Sequence, residues 1–115
     1  MTVYVDDMRA PFGRLILCHM IADTAEELHS MAEAIGVARR WYQGDHYDVS
    51  LAKRAHAVAL GAREITWRDI GLMMLDRHRD PTGTAPLLTP EEALARIRAQ
   101  AAAGRQTGNI DAPAR

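Results

Sequence analysis

Segments with the two-residue period of a β-strand alternate with segments of helical period through the first 80 residues. Residues 2–6 place β-forming side chains on two faces, and residues 15–22 form an apolar run of strand length that contains His19. Thr24 and Glu27 fit the capping box of a helix start. The predicted order is a strand over 2–6, a strand over 15–22, a helix over 24–35, a strand over 39–43, a helix over 50–60, a strand over 63–66 and a helix over 66–77.

This alternation predicts a compact α/β domain over residues 1–80. We expect a small sheet of about four strands, partly parallel because the later strands follow helical crossovers, flanked by three helices. Residues 8–14 contain Pro11 and Gly13 and are predicted to form a turn between the first two strands.

The composition changes after Asp80. Residues 81–89 contain several turn formers and are predicted to be a linker. Thr89, Pro90 and Glu92 form a helix-start pattern, which predicts an appended helix over residues 90–103. Because this helix has few large apolar side chains, we expect it to dock weakly, and we expect residues 104–115 to be a disordered tail.

Composition limits the classes of partner. The net charge of −1 provides no global attraction toward nucleic acid or an anionic membrane, so such binding would have to be local. A single cysteine, Cys18, excludes an internal disulfide. No apolar segment is long enough for a signal peptide or a membrane span, so we expect a cytoplasmic protein with no membrane partner.

Three spaced segments carry a resemblance to a known family. The stretches TVYVDDMR, HMIADTAEELHSMA and HYDVSLAKRAHAVALGA together resemble a bacterial and phage family catalogued as domain of unknown function 4031. The likeness covers residues 1–70 and supports treating that region as the core of the domain. The family implies no catalytic residues, so a site has to be argued from chemistry.

One group of candidate residues follows the first two strands. Asp6 and Asp7 end the first strand, His19 lies within the second and Asp23 follows it. If these strands are neighbours, the side chains could converge at one edge of the sheet as ligands of a divalent metal, with His19 favouring Mn²⁺ or Zn²⁺ over Mg²⁺. The alternative is that the aspartates cap a turn and a helix while His19 is a hydrogen-bonded core residue.

A second group surrounds the predicted start of a helix at Ser50. Lys53 and Arg54 lie in its first turn, where the helix dipole disfavours cations. An anionic ligand held by Ser50, Lys53, Arg54 and Tyr47 would explain them. The alternative is that Asp45 and Asp48 neutralise the two cations in a solvated cluster.

Two functional hypotheses follow. The first is a domain that binds a phosphate-bearing or other anionic ligand, a small molecule or a nucleic-acid end, with metal-assisted hydrolysis if it is an enzyme. His46 and Asp7 are its candidate catalytic residues, and a divalent metal is its candidate cofactor. The second is a non-catalytic interaction module, including a homo-oligomer, whose polar cluster is structural.

Overall fold

The central strand of the sheet is the apolar run predicted over residues 15–22. The structure is a computed structural model, and it describes residues 2–80, 82 and 86–111. Its elements are β1 (Val3–Val5), β2 (Ala10–Phe12), β3 (Leu15–Ala22), α1 (Ala25–Ala34), a 3₁₀ turn (Arg39–Trp41), β4 (Tyr47–Ser50), α2 (Leu51–Ala59), β5 (Arg63–Glu64), α3 (Trp67–His78) and α4 (Pro90–Asp111). The predicted α/β class and the appended C-terminal helix are confirmed.

Strand β3 is paired along both edges. Its residue Met20 pairs with Val5 of β1 and with Tyr47 of β4, so β1 and β4 lie on opposite edges of β3. Strands β1 and β2 pair antiparallel with the second and first halves of β3, and β5 pairs parallel with β1. The sheet is therefore mixed, with one parallel pair among its named strands.

Two segments differ from the sequence prediction. The predicted turn over residues 8–14 contains β2, because Gly13 adopts a φ of 59° and folds Ala10–Phe12 back onto β3 as a hairpin. The predicted strand over residues 39–43 is instead the 3₁₀ turn. The strand that pairs with β3 comes later, at Tyr47–Ser50, where Tyr47 and Val49 alternate into the core. Among the described residues the sheet has five strands, where about four were expected.

Helices cover the two faces of the sheet with different completeness. We call the faces the α1/α2 face and the α3/α4 face after the helices that cover them. On the first, buried side chains come from β1, β3, β4, α1 and α2: Val3, Val5, Cys18, Met20, Ala22, Leu28, Ala32, Tyr47, Val49 and Ala57, with Ile35 and Ala62 beyond the helix ends. On the second, the buried cluster is smaller: Tyr4, Ile21, Ile65, Ile70, Met73, Leu87 and Ala93.

Side-chain caps explain where three helices begin. Thr24 Oγ1 accepts a hydrogen bond from the Glu27 amide, and Ser50 Oγ accepts one from the Lys53 amide. Thr66 and Asp69 form a reciprocal capping box at the start of α3. Each start matches the prediction because its signal is local in the sequence.

Helix α4 is longer than predicted and contacts the sheet layer. It runs to Asp111, eight residues beyond the expected end. The expected tail therefore overlaps helix through Asp111, while residues 112–115 lie outside the described residues. Ala93 at the start of α4 and Leu87 just before it are buried in the α3/α4 cluster, although weak docking was expected.

The division of the chain into a domain, a linker and an appended helix remains a prediction, and its turn formers Pro81 and Gly83 lie outside the described residues. Within the part of the chain that the structure covers, we find no helix with the length and apolar character needed to cross a membrane.

Candidate metal centre

Polar side chains from β3 and β4 meet on the α3/α4 face of the sheet. His19 is the direct cross-strand partner of Asp48. Their neighbours Met20, Tyr47 and Val49 point into the α1/α2 core, so the alternation of strand side chains directs His19 and Asp48 to the opposite face.

Two imidazoles converge on one carboxylate oxygen. Asp48 Oδ1 lies 3.8 Å from His19 Nε2 and 3.5 Å from His46 Nε2. One ligand atom from each of the three residues lies within 4.8 Å of the other two, and all three residues are partly buried. A tetrahedral ion with bonds of about 2.0–2.1 Å holds its ligand atoms about 3.3 Å apart, so small side-chain movements would close this site around a metal.

A carboxylate holds the far nitrogen of each imidazole. Asp6 Oδ2 lies 2.8 Å from His19 Nδ1, and Asp45 Oδ1 lies 2.6 Å from His46 Nδ1. Because each Nδ1 donates its proton to a carboxylate, the neutral ring presents the lone pair of Nε2 toward Asp48. Gln43 Nε2 in turn donates to Asp48 Oδ2 at 2.7 Å and so orients the third side chain.

A bulge in the β1/β2 edge aims Asp6 at His19. Val5 pairs with Met20 and Ala10 pairs with Leu17. Residues 6–9 therefore lie opposite only two residues of β3, Cys18 and His19, and the extra residues bulge out of the pairing. The Asp6 side chain is fully buried, and its Oδ1 accepts the His19 amide at 2.8 Å. The carboxylate therefore holds both the backbone and the ring of His19.

The electrostatics of the cluster follow from these contacts. The hydrogen bond to Asp6 raises the pKa of His19 above its usual value, against the opposing effect of burial. Burial alone would raise the pKa of Asp45, but hydrogen bonds from His46 and His78 outweigh it and lower that pKa. His78, at the end of α3, contacts Asp45 Oδ2 at 3.1 Å and joins the helix to the cluster.

The comparisons with known proteins identify a family. A family described as "Protein of unknown function (DUF4031)" matches residues 3–77, which is more than half of the chain. The chain belongs to this family. The matched segment includes Asp6, His19, His46 and Asp48, and it ends one residue before His78. No curated protein and no solved structure matches the chain.

Two of the predicted metal ligands lie away from this cluster. Asp7 Oδ1 accepts a hydrogen bond from the Trp67 amide at 2.7 Å and so caps the start of α3. Asp23 Oδ2 accepts from the Thr2 amide at 2.7 Å. Because β1 and β3 are antiparallel, the end of β3 lies beside the start of β1. Asp23 follows His19 by four positions of extended chain, a separation of about 13 Å. The expected convergence of all four residues does not occur.

The residues of the predicted anion site are also divided. Ser50 caps α2, and Arg54 donates to the Asp6 carbonyl at 2.7 Å and to Glu64 Oε1 at 3.0 Å. Tyr47 is fully buried on the α1/α2 face. The Lys53 ammonium lies beside Gly36, past the end of α1.

The alternative explanation of the two cations does not hold for Arg54. Its ion-pair partner is Glu64. Asp45 and Asp48 instead contact His46, with His78 on Asp45 and His19 near Asp48.

Sequence reasoning considered Asp45 and Asp48 only as counter-charges and did not consider Gln43. One signal was available: residues 46–50 read His-Tyr-Asp-Val-Ser, in which polar residues alternate with Tyr47 and Val49. That period is typical of a strand with one polar face, on which His46 and Asp48 are neighbours. No strand was predicted over residues 46–49, so this pairing was not foreseen.

Proposed function

We propose that this chain binds a divalent transition-metal ion through His19, His46 and Asp48. The observation that carries the proposal is that both imidazoles are held at Nδ1 by a carboxylate while both Nε2 atoms approach Asp48 Oδ1. Hydrogen-bonded carboxylates behind histidine ligands are a common feature of protein metal sites, since they fix the tautomer and the ring orientation. A purely structural cluster does not require this arrangement twice.

The donor set favours particular ions. Two imidazole nitrogens and one carboxylate suit Zn²⁺ or Mn²⁺ better than Mg²⁺, which prefers oxygen ligands and retained waters. Three protein ligands leave at least one coordination position for water or substrate, as in catalytic rather than structural zinc sites.

We further propose that the site serves metal-assisted hydrolysis of a phosphate-bearing or other anionic substrate. A metal with an open position supplies an activated water and a Lewis acid for a phosphoryl or carbonyl oxygen. In this assignment His46 is a ligand rather than the general base expected from the sequence, because its Nε2 faces Asp48 and its Nδ1 is held by Asp45. In the same assignment Asp7 supports the start of α3 through the Trp67 amide and is not one of the metal ligands.

Calorimetric titration of the metal-free chain with Zn²⁺ and with Mn²⁺ tests the binding step. We expect Asp48→Asn to weaken binding by about 100-fold or more, and Asp45→Asn by about 10- to 100-fold, the usual cost of losing a residue that supports a ligand. His56→Ala is the matched control, because His56 is exposed on α2 outside the cluster. Equal isotherms for the wild type and Asp48→Asn would contradict the metal site.

Hydrolysis is tested separately with bis(p-nitrophenyl) phosphate and p-nitrophenyl phosphate. We expect turnover that requires added metal, is lost in Asp48→Asn and is retained in His56→Ala. Tight metal binding without turnover on either ester would retain the metal site and contradict the hydrolytic role.

A second function has one observation in its favour. Phe12 and Leu15 are cross-strand partners at the tip of the β2–β3 hairpin, and they are 64% and 51% exposed. An exposed apolar pair at a hairpin tip fits the interaction-module hypothesis, including self-association. Sedimentation velocity of the wild type and Phe12→Ser tests it: a concentration-dependent oligomer that the substitution abolishes would support this function.

A further inference from the structure

A cavity of about 380 Å³ opens on the α1/α2 side of β4, behind the candidate metal centre. Its lining includes His29 and Glu33 of α1, Gly36 in the following loop, Arg39 of the 3₁₀ turn and Tyr47 of β4. Tyr47 lies between His46 and Asp48 in sequence but points to the other face, so the cavity and the metal centre use opposite faces of one strand. The volume lies within the usual range for small-molecule sites.

A lysine ammonium lies beside Gly36, one of the residues that line this cavity. Lys53 Nζ lies so close to Gly36 that any side chain at this position would place its Cβ atom 3.1 Å from the ammonium. Gly36 also has a φ of +80°, a conformation that favours glycine. Lys53 is partly buried, and its ammonium forms no hydrogen bond or ion pair with another described residue. Arg39 and Glu33 likewise form no ion pair within the described part of the chain. Arg39 and Glu33 on the cavity lining, and Lys53 beside Gly36, thus have no ion-pair partner among the described residues.

The inner wall presents a further hydrogen-bond donor. The buried Tyr47 hydroxyl lies 2.8 Å from His29 Nδ1. Burial raises the pKa of Tyr47, and the Arg39 guanidinium offsets only part of this rise, so the phenol keeps its proton and donates it to Nδ1. With Nδ1 accepting this hydrogen bond, the imidazole donates from Nε2. The ring is held edge-on by Tyr42, with ring centroids 4.5 Å apart.

We propose that this cavity binds a small organic anion, with its carboxylate or phosphate between Lys53 and Arg39 and its hydroxyl or amino groups donating to Glu33. The cations supply charge-assisted hydrogen bonds to the anionic group, and Glu33 selects against an anion that has no donor of its own. The lysine is explained by this role better than by the start of α2, where its charge opposes the helix dipole.

The test uses the full chain, stripped of metal and kept in a chelator, so that no phosphate can bind through a metal ion. Thermal melts at constant ionic strength compare ribose 5-phosphate with ribose, which lacks the anion, and with inorganic phosphate, which lacks the hydroxyls of the sugar. Citrate and glutamate extend the series to carboxylates. A ligand that binds only the native state raises the melting temperature with its concentration.

We expect at least one organic anion of the series to stabilise the wild type more than ribose or inorganic phosphate does. Lys53→Met and Arg39→Met should each weaken its binding by about tenfold or more. Arg40→Met is the matched control, since it removes the same charge from the neighbouring residue of the 3₁₀ turn, which does not line the cavity. Asp48→Asn should bind the anion like the wild type, so the cavity is assessed independently of the metal centre.

Three results would overturn the proposal. The first is that no organic anion stabilises the metal-free wild type. The second is that Lys53→Met and Arg40→Met affect the response equally, which would indicate general electrostatic attraction. The third is that Asp48→Asn alone abolishes the response, which would place the anion at the metal centre.

Discussion

The strands contribute different numbers of buried apolar side chains to the two faces of the sheet. On the α1/α2 face these strand side chains come from β1, β3 and β4, whereas on the α3/α4 face they are Tyr4 of β1 and Ile21 of β3. The remaining part of the second face carries His19 and Asp48 instead. On a fully covered face, these titratable groups would be buried at a large desolvation cost. Incomplete helical cover therefore leaves the room in which a polar site can form beside a stable core.

The same comparison explains how the charges are tolerated. The one fully buried carboxylate of the cluster, Asp6, has both oxygens hydrogen-bonded to His19. The other members are partly exposed and lie within a few ångströms of one another. Packing on the apolar face holds the polar side chains in place. Met20 and Val49 are buried on the α1/α2 face and fix the strands that carry His19 and Asp48 on the opposite face.

The largest stability effect should come from the α1/α2 face. We expect Leu28→Ala to lower the free energy of unfolding by about 2–5 kcal/mol, because Leu28 is buried at the centre of α1 against the sheet. Leu87→Ala is the matched substitution on the other face and should cost about 1–2 kcal/mol, since Leu87 lies at the edge of a smaller cluster.

Urea unfolding of both variants measures the difference. An equal loss would mean that the two faces contribute alike to stability, and a larger loss for Leu87→Ala would reverse the comparison. Val58→Ala is a useful third variant, because Val58 of α2 is partly buried and packs against the cluster on the α1/α2 face.

The elements that sequence predicted well have local signals. Residues 15–22 are apolar at strand length, and Thr24, Ser50 and Thr66 each cap a helix within three residues of themselves. The strand Tyr47–Ser50, which the prediction missed, depends on a partner about 30 residues earlier in the chain, and it occupies the edge of β3 in place of Arg39–Trp41. Ala10–Phe12 was missed for another reason: Pro11 and Gly13 predict a turn, and the turn at Gly13 also closes a hairpin that pairs Ala10–Phe12 with β3.

The same distinction holds for the candidate site. Asp6 and His19 could be associated because each lies on a predicted neighbouring strand. Asp6 and Asp7 could not be told apart, since a bulge that no local pattern encodes turns one carboxylate to His19 and the other to Trp67. Asp23 was misplaced because β1 and β3 are antiparallel, so the residue that follows β3 lies beside the start of β1 and not beside Asp6 at its end.

An intermediate effect should separate the two basic residues of α2. We expect Arg54→Met to cost about 1.5–2 kcal/mol, because it removes a charged donor from the Asp6 carbonyl behind the polar face. Lys53→Met should change stability by no more than a few tenths of a kcal/mol, because its ammonium contacts no described partner and lies in the first turn of a helix. Thermal and urea unfolding of the single variants provide the measurement, and equal losses would mean that Lys53 has a structural role at the end of α1.

The smallest effect should distinguish Asp7 from its neighbour Asp6. Asp7→Ala removes the acceptor for the Trp67 amide at the start of α3, but Thr66 and Asp69 still cap that helix, so we expect a loss of only about 0.5–1 kcal/mol in urea unfolding. The affinity for Zn²⁺ should be unchanged, because Asp7 contacts α3 rather than His19. Asp6→Asn is the contrasting variant: it keeps the shape of a side chain that supports His19 and should weaken Zn²⁺ binding by about 10- to 100-fold. A lower affinity of Asp7→Ala for Zn²⁺ would mean that Asp7 contributes to the metal centre and that the polar site extends to the start of α3.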